Sequence, residues 1–462
     1  MPNDRSDYSQ KPRTSGALRT AALSVMPAVP LAIALVHAAL TSSPSPLSKP
    51  VHEMHMLTAP VAGEGTGGCI TASRAACEAP YPMVSKGHPV NWWFVFKLNV
   101  AKFPGCGTVS CAFGGDPQDY KPGLQYAFAS STNPELQPGS HDCLGEAGDD
   151  PVAATFDEVY HGAYHYVVWN DQFYGDPESA SCGGDGCGSP WGHSKGLLAW
   201  NDDGDGLVMQ VSTPSWPGSG SSLYPRTDGN TLGCVNDNNV KVSQHFFALQ
   251  LTHQDVDIVL EGLANASVVT DTNNPQIVRN GGPEDVQEKV RALGVKSNGA
   301  DVQQQVLSSG IGIVSKPSAL HVPPWQMVSS VLGGIPLRTA TWWTRPAIPS
   351  TSGGAPQCWD PSLTTTPGAV QIATSGTWQK ISMGLTGGPK PDANHAKLGV
   401  SADGGDFVIF GDMNQQGALA GNCGSSQNGR GGLFFVLRNN RLANSVRSLL
   451  EGGTAPYDQP AN

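Results

Sequence analysis

Charge is scarce in this chain. Only 14% of its 462 residues are Asp, Glu, Lys or Arg, well under the quarter usual in globular proteins. The little charge present leans acidic, with a formal net of −11. That balance excludes a protein that coats nucleic acid electrostatically at neutral pH, but not one with a local basic cleft. It also changes with acidity, because twelve histidines gain charge below neutrality. CxxC spacing is missing from the ten cysteines, which argues against zinc. Long apolar runs are missing beyond residue 45, so no later segment can cross a bilayer as a helix. The turn Asn201-Asp202-Asp203-Gly204-Asp205-Gly206 resembles a calcium loop but lacks its later Glu, and reads as a hairpin turn.

Glycine (56) and proline (37), by contrast, are abundant and imply many turns and long loops. The even number of cysteines, several in close pairs (Cys69/Cys77, Cys106/Cys111, Cys182/Cys187), reads as disulfides in an exported protein. An export signal is present: Arg5, Lys11, Arg13 and Arg19 precede an apolar stretch, Thr20 to Leu40, then Thr41-Ser42-Ser43. Pro27 and Pro30 favour a cleaved signal over an uncleaved anchor. Residues 1–45 are therefore expected to be removed, leaving a secreted or periplasmic protein with no stable membrane association.

The pattern that carries chemistry occurs twice. Gly192-His193-Ser194-Lys195-Gly196-Leu197-Leu198 returns as Asn394-His395-Ala396-Lys397-Leu398-Gly399-Val400. Residues two apart on an extended strand face the same way, so each imidazole and its ammonium reach one point. A neutral imidazole beside an ammonium suits phosphate: one group does proton or nucleophile chemistry, the other holds the charge. Each copy runs into an Asp/Gly turn and a second apolar strand, Leu207 to Val211 and Phe407 to Phe410, which reads as a hairpin. The chain looks like two diverged halves of one structural idea.

Further strands are predicted at Trp92 to Leu98, Tyr164 to Trp169, Phe246 to Leu251, Thr339 to Trp343 and Gly431 to Val436. Helical spacing predicts helices over Gln254 to Leu263, 283–293, Trp325 to Leu332 and Leu442 to Leu450. Residues 101–155 read as loop with one or two short strands. The expected domains are an N-terminal half (46–263), a polar connection (264–316) and a C-terminal half (317–462). Asn170-Asp171-Gln172 closes a strand, where it either lines a site or caps a turn. Trp92, Trp93, Trp342 and Trp343 suit core packing better than base stacking. His141, His161, His165, His245 and His253 show no metal-site spacing.

Taken together, six stretches resemble the deoxyribonuclease II family of the phospholipase D superfamily. They are Gly87 to Leu98, Trp169-Asn170-Asp171-Gln172, Gly192 to Gly196, Leu232-Gly233-Cys234-Val235, Asn394 to Lys397 and Gly411-Asp412-Met413-Asn414. The resemblance implies an α/β fold, phospholipase D-like, with two similar halves. Each half has a central mixed β-sheet flanked by helices, and a pseudo-two-fold axis brings the two His-x-Lys motifs to one site. It implies a metal-independent acid endodeoxyribonuclease that needs no cofactor and leaves 3′-phosphate and 5′-hydroxyl ends. His193 is then the nucleophile forming a phosphohistidine and His395 the acid. Lys195, Lys397 and Asn414 hold phosphate oxygens, and Asn170, Asp171, Gln172, Asp412 and Ser215 line the substrate.

The chain departs from the superfamily in one respect. The Asp that follows the motif's Lys after four residues is replaced by Trp200 and Ala402, with Asp202 and Asp403 slightly later. Which carboxylate orients each imidazole is therefore open. In the first half, Ser215 stands near the position of Asn414. A homodimer is compatible with the family. Competing readings are a lipid or other phosphodiesterase, a ribonuclease, and an inactive binding protein that keeps the fold.

Overall fold

Two antiparallel-rich sheets carry the molecule, and the aromatic residues between them explain why they pack. The computed structural model describes residues 78–103, 125–139, 144–145, 150–173, 187–227 and 241–458. Residues 1–45, expected from the sequence to be an export segment, residues 46–77, the stretch 232–235 and seven of the cysteines (Cys69, Cys77, Cys106, Cys111, Cys143, Cys182, Cys234) lie outside the described residues.

A short ribbon, β1 (Met83–Ser85) and β2 (His88–Pro89), opens the described chain. Next come β3 (Trp92–Lys97), β4 (Tyr126–Ser130), β5 (Gln137–Pro138), α1 (Pro151–His161), β6 (His165–Asn170), β7 (Lys195–Trp200), β8 (Gly206–Val211) and β9 (Gln244–Leu251). The middle of the chain supplies α2 (His253–Asn265), β10 (Val278–Arg279), α3 (Glu284–Arg291), β11 (Gln303–Val306) and β12 (Gly312–Lys316). The remainder is α4 (Pro324–Val331), β13 (Leu337–Ala340), β14 (Val370–Ile372), β15 (Ser375–Trp378), β16 (Ile381–Gly384), β17 (Leu398–Ser401), β18 (Phe407–Gly411), β19 (Gly432–Arg438) and α5 (Asn440–Leu449).

The first sheet has the order β10-β6-β7-β8-β9-β3-β4-β5, the second β11-β12-β19-β18-β17-β13-β14. Within them the run β6-β7-β8-β9-β3 and the run β13-β17-β18-β19-β12 have the same chain order and the same antiparallel pairing throughout. A helix precedes β6 and β13 (α1, α4), and a helix follows β9 and β19 (α2, α5). β12 falls at the end of the segment read from sequence as a connection, yet it is an interior strand of the second sheet. β11, its neighbour, is exposed and glutamine-rich, and so gave no hydrophobic pattern to read.

Alternation decides the packing. On β3, the Trp93 indole N–H donates to Thr155 Oγ1 of α1 at 2.9 Å, while Phe94 points the other way onto Phe410 of β18, ring centroids 4.8 Å apart. Phe247 stacks on Phe410 at 4.2 Å and meets Phe435 at 5.6 Å. Residues one step away, Ile409 and Phe434, belong to a separate cluster with Trp325 and Val328 of α4. Each central strand is therefore buried on both faces, one against a helix and one against the other sheet. Helix ends are capped by the chain itself: Asp150 accepts from the Val152 and Ala153 amides on α1, and Thr252 with Asp255 forms a capping box on α2.

Both hairpins close through a left-handed glycine, Gly204 (φ 93°) and Gly404 (φ 85°), with Asn201 and Asp403 side chains accepting backbone amides in the turns. The expected strands and helices appear within a few residues of their predicted bounds. Helix α1 is not among the expected helices; its Pro151 and four alanine or valine residues give no amphipathic signal beside the loop-like sequence before it.

Cys358 and Cys423, two cysteines without a close sequence neighbour, form a disulfide across 65 residues, and Cys187 is also disulfide-bonded. Closing a loop of that length removes about 4 kcal/mol of unfolded-state entropy. The double variant Cys358→Ser/Cys423→Ser is expected to lose up to about that much unfolding free energy in a denaturant titration; an unchanged midpoint contradicts a stabilising role.

Candidate active site

The two His-x-Lys motifs sit where the ends of the two sheets meet, and each histidine is held by the opposite sheet. The His193 amide donates to Gly431 O at 2.8 Å, just before β19. The His395 amide donates to Ser243 O at 2.7 Å, just before β9. The rings follow the same exchange. His193 Nδ1 lies 2.6 Å from Asp412 O, past the end of β18, and His395 Nδ1 lies 2.7 Å from Ser212 O, past the end of β8.

A backbone carbonyl only accepts, so both neutral rings carry their proton on Nδ1. Nε2 of each is then a bare lone pair, and neither Nε2 bonds another of the described residues. Burial first, then the neighbouring Lys195 for His193 and Lys397 for His395, holds both imidazoles well below their ordinary pKa. The carboxylates considered from the sequence play no part in this. Asp202 pairs with His165 Nε2 at 2.8 Å, and Asp403 serves its own turn.

The two lysines differ. Lys195 Nζ contacts Asp171 Oδ1 at 2.5 Å, and Arg430 Nη2 takes Asp171 Oδ2 at 2.8 Å. Burial works against the Asp171 charge, but Lys195 and Arg430 outweigh it and hold the carboxyl well below the usual carboxylate range. Arg430 also donates to Trp191 O and Gly192 O, fixing the peptide that leads into His193. Lys397 Nζ, in contrast, donates to His395 O at 2.6 Å, with His395 Nδ1 at 3.2 Å. It has no carboxylate partner among the described residues, and burial lowers its pKa well below the ordinary lysine value.

Asp412 does more than lend its carbonyl. Its Oδ2 accepts from Ser194 Oγ at 2.6 Å and from the Leu433 amide, and Ser194 Oγ accepts from the Trp169 indole at 2.8 Å. Burial pushes the Asp412 carboxyl up to about 7. Asn414 donates to Gln416 Oε1 at 2.9 Å, and its own buried Oδ1 has no partner among the described residues. Ser215 stands at φ 61°, its buried Oγ likewise without a partner among the described residues. Counted from Ser212 and Asp412, the register sets Asn414 against Pro214 rather than Ser215. Asn170 is buried and bonds Trp216 O, its Oδ1 accepting the Gln172 amide as a turn cap does.

Four participants were not singled out from the sequence, Ser194, Arg430, Ser212 and Gln244, and His245 was considered there only as a metal ligand and set aside. Ser212 Oγ donates to Gln244 Oε1, and His245 Nδ1 accepts the Lys397 amide. Their roles depend on contacts between distant segments, and only Ser194 lies inside a recognised motif. Trp92 and Trp93 are core residues as expected, but Trp342 is half-buried and packs edge-to-face with the His395 ring, centroids 5.0 Å apart.

This pairing of two buried histidines and two lysines coincides with a sequence-level match. The family model described as Deoxyribonuclease II matches residues 81–453. The chain belongs to the deoxyribonuclease II family. It is a deoxyribonuclease, a phosphodiester hydrolase whose substrate is DNA. Among curated proteins no match was found. No helix among the described residues is long and apolar enough to cross a membrane.

In this deoxyribonuclease, Asp171 is the keystone of the first His-x-Lys motif. Asp171→Asn strips both Lys195 and Arg430 of their counter-charge and is expected to cost about 3–5 kcal/mol of stability near neutrality. A carboxyl with a depressed folded pKa stabilises above its unfolded value and loses that contribution as pH falls below it. The gap between wild type and variant, measured by denaturation across pH, should therefore close at strongly acid pH; a gap that widens there contradicts the ion-pair account.

Proposed function

We propose that this deoxyribonuclease is a metal-independent acid endonuclease acting through a phosphohistidine, and that its two halves are related by a phospholipase D-like pseudo-two-fold axis. The halves are residues 46–263 and 317–462, joined by 264–316. The matched five-strand runs and the reciprocal His–carbonyl bonds support that arrangement. A secreted or periplasmic location is supported by the N-terminal sequence and the disulfides, and a homodimer remains compatible with the family.

The observation that carries the mechanism is the pair of imidazoles whose Nδ1 atoms face backbone carbonyls, leaving each Nε2 without a partner among the described residues, beside two lysines. Neutral His193 Nε2 attacks phosphorus. The bond from phosphorus to the 5′ oxygen breaks as protonated His395 gives that oxygen its proton. Neutral His395 then takes a proton from water, whose oxygen attacks phosphorus and breaks the P–N bond. A 3′-phosphate and free His193 result. Lys195, Lys397 and Asn414 hold non-bridging oxygens as charge builds, with Asn170, Asp171, Gln172, Ser215 and Asp412 bordering the substrate.

The acid requirement follows from the same geometry. Burial keeps both imidazoles neutral in the empty site near neutrality, and the leaving 5′ oxygen needs a proton. Lower pH and the incoming phosphodiester anion both favour charging one ring. Activity should thus rise as pH falls below the ordinary histidine range.

Plasmid cleavage in EDTA at about pH 5 and about pH 7.5 tests this. Cutting is expected at the lower pH, with 3′-phosphate ends. His193→Ala and His395→Ala should each lower it about a thousandfold or more. A Mg²⁺ requirement would sink the mechanism; turnover of lipid vesicles in preference to DNA would sink the nuclease reading.

A further inference from the structure

The two halves differ most sharply at one matched pair of positions. On β6, Asn170 lies opposite Lys195. On β13, Ala340 lies opposite Leu398, so one step further Thr341 falls opposite Lys397. The next residue along each strand is Asp171 in the first half and Trp342 in the second. A carboxylate stands beside Lys195, whereas the residue at the matched step in the second half is an indole packed against the His395 ring.

The consequence is electrostatic. Asp171 gives Lys195 a partner at 2.5 Å and is itself shared with Arg430. The first half therefore has its cations balanced by its own anion, with one positive charge left to a residue that is tied to Trp191 O and Gly192 O. Among the described residues, Lys397 Nζ bonds only His395, and Asp171 and Asp412 reach it only through space. A buried ammonium without an anion is costly unless an anion arrives. Trp342 sets an indole against His395, in a T-shaped pair, instead of a competing carboxylate.

We propose that Lys397 is the cation that binds the phosphodiester, that Lys195 is held largely by Asp171, and that Trp342 is the positioning residue that keeps this inequality. This deepens the two-histidine reading and rests on it for the site, though not for the chemical steps. The two lysines divide the work: Lys195 is preorganised by the protein, and Lys397 is completed by substrate. Trp342, half-buried beside His395, also limits the ring's rotation without lowering the site's positive charge.

Inorganic phosphate is the probe, its binding followed by calorimetry on the whole mature protein at acid pH. Trp342→Asp and Trp342→Asn are nearly equal in size and differ in charge. Trp342→Asp is expected to bind phosphate at least about tenfold more weakly than Trp342→Asn, the loss of one unit-charge contact in a buried site. Its KM for DNA should rise more than its kcat falls. Equal binding by the two variants overturns the proposal, since packing alone would then explain Trp342. Should Trp342→Asp fail to fold, the comparison moves to Lys195→Met and Lys397→Met. Lys397→Met should abolish phosphate binding and Lys195→Met should weaken it only a few-fold; equal losses overturn the proposal. Phosphate binding that follows this pattern in a protein that cuts no DNA would leave the charge asymmetry standing and remove the nuclease mechanism.

Discussion

Two hydrogen bonds run in opposite directions between the sheets, and the site depends on them. His193 gives its Nδ1 proton to Asp412 O, and His395 gives its Nδ1 proton to Ser212 O. Each half thus sets the tautomer of the other half's imidazole. Separate halves would lose both bonds, since the donor and the acceptor of each belong to different sheets. The sheets must therefore be fixed relative to each other with hydrogen-bond precision. The stack of Phe94, Phe247, Phe410 and Phe435 supplies that rigidity, because interdigitated rings tolerate little sliding.

The charges are arranged on the same frame but not symmetrically. A buried ion pair costs desolvation and gains little stability over an apolar equivalent. The Lys195–Asp171–Arg430 cluster is thus better understood as geometry than as stabilisation. It fixes an ammonium in place and ties down the peptide before His193. Around Lys397 the same desolvation is met by no direct carboxylate contact among the described residues, with Asp171 and Asp412 acting only through space, which favours an arriving anion. The buried acid Asp412 lies between these regions, its carboxyl pushed up to about 7, bonded to Ser194 and the Leu433 amide. Acidification below that value neutralises it, while Asp171 keeps its charge beside Lys195.

Legibility followed the strength of local signals. The two hairpins were readable because Asp/Gly turns sit between apolar runs of strand length, and α2, α3, α4 and α5 because their apolar residues recur at helical spacing. Strands β10, β11 and β14 to β16 are short, polar or edge-placed, and their pairing comes from neighbours rather than from their own pattern. β13 begins two residues earlier than predicted and releases Trp342 from the sheet, because Trp342 lies beyond the last ladder pair with β17. The tryptophan repeat at 342–343 reads like the core pair at 92–93, yet only the latter is fully enclosed.

The sequence alone determined the residue types that do chemistry, their doubling, and the family, because His-x-Lys and the turn after it are local patterns that survive without knowledge of distant contacts. Tertiary structure decided what those residues are attached to. Backbone carbonyls rather than carboxylates orient the imidazoles, Asp171 serves Lys195 and Arg430, and Trp342 stands where a second acid would be. Those outcomes depend on which strand ends meet across some 200 residues of chain, and a backbone carbonyl carries no side-chain identity for a sequence to display.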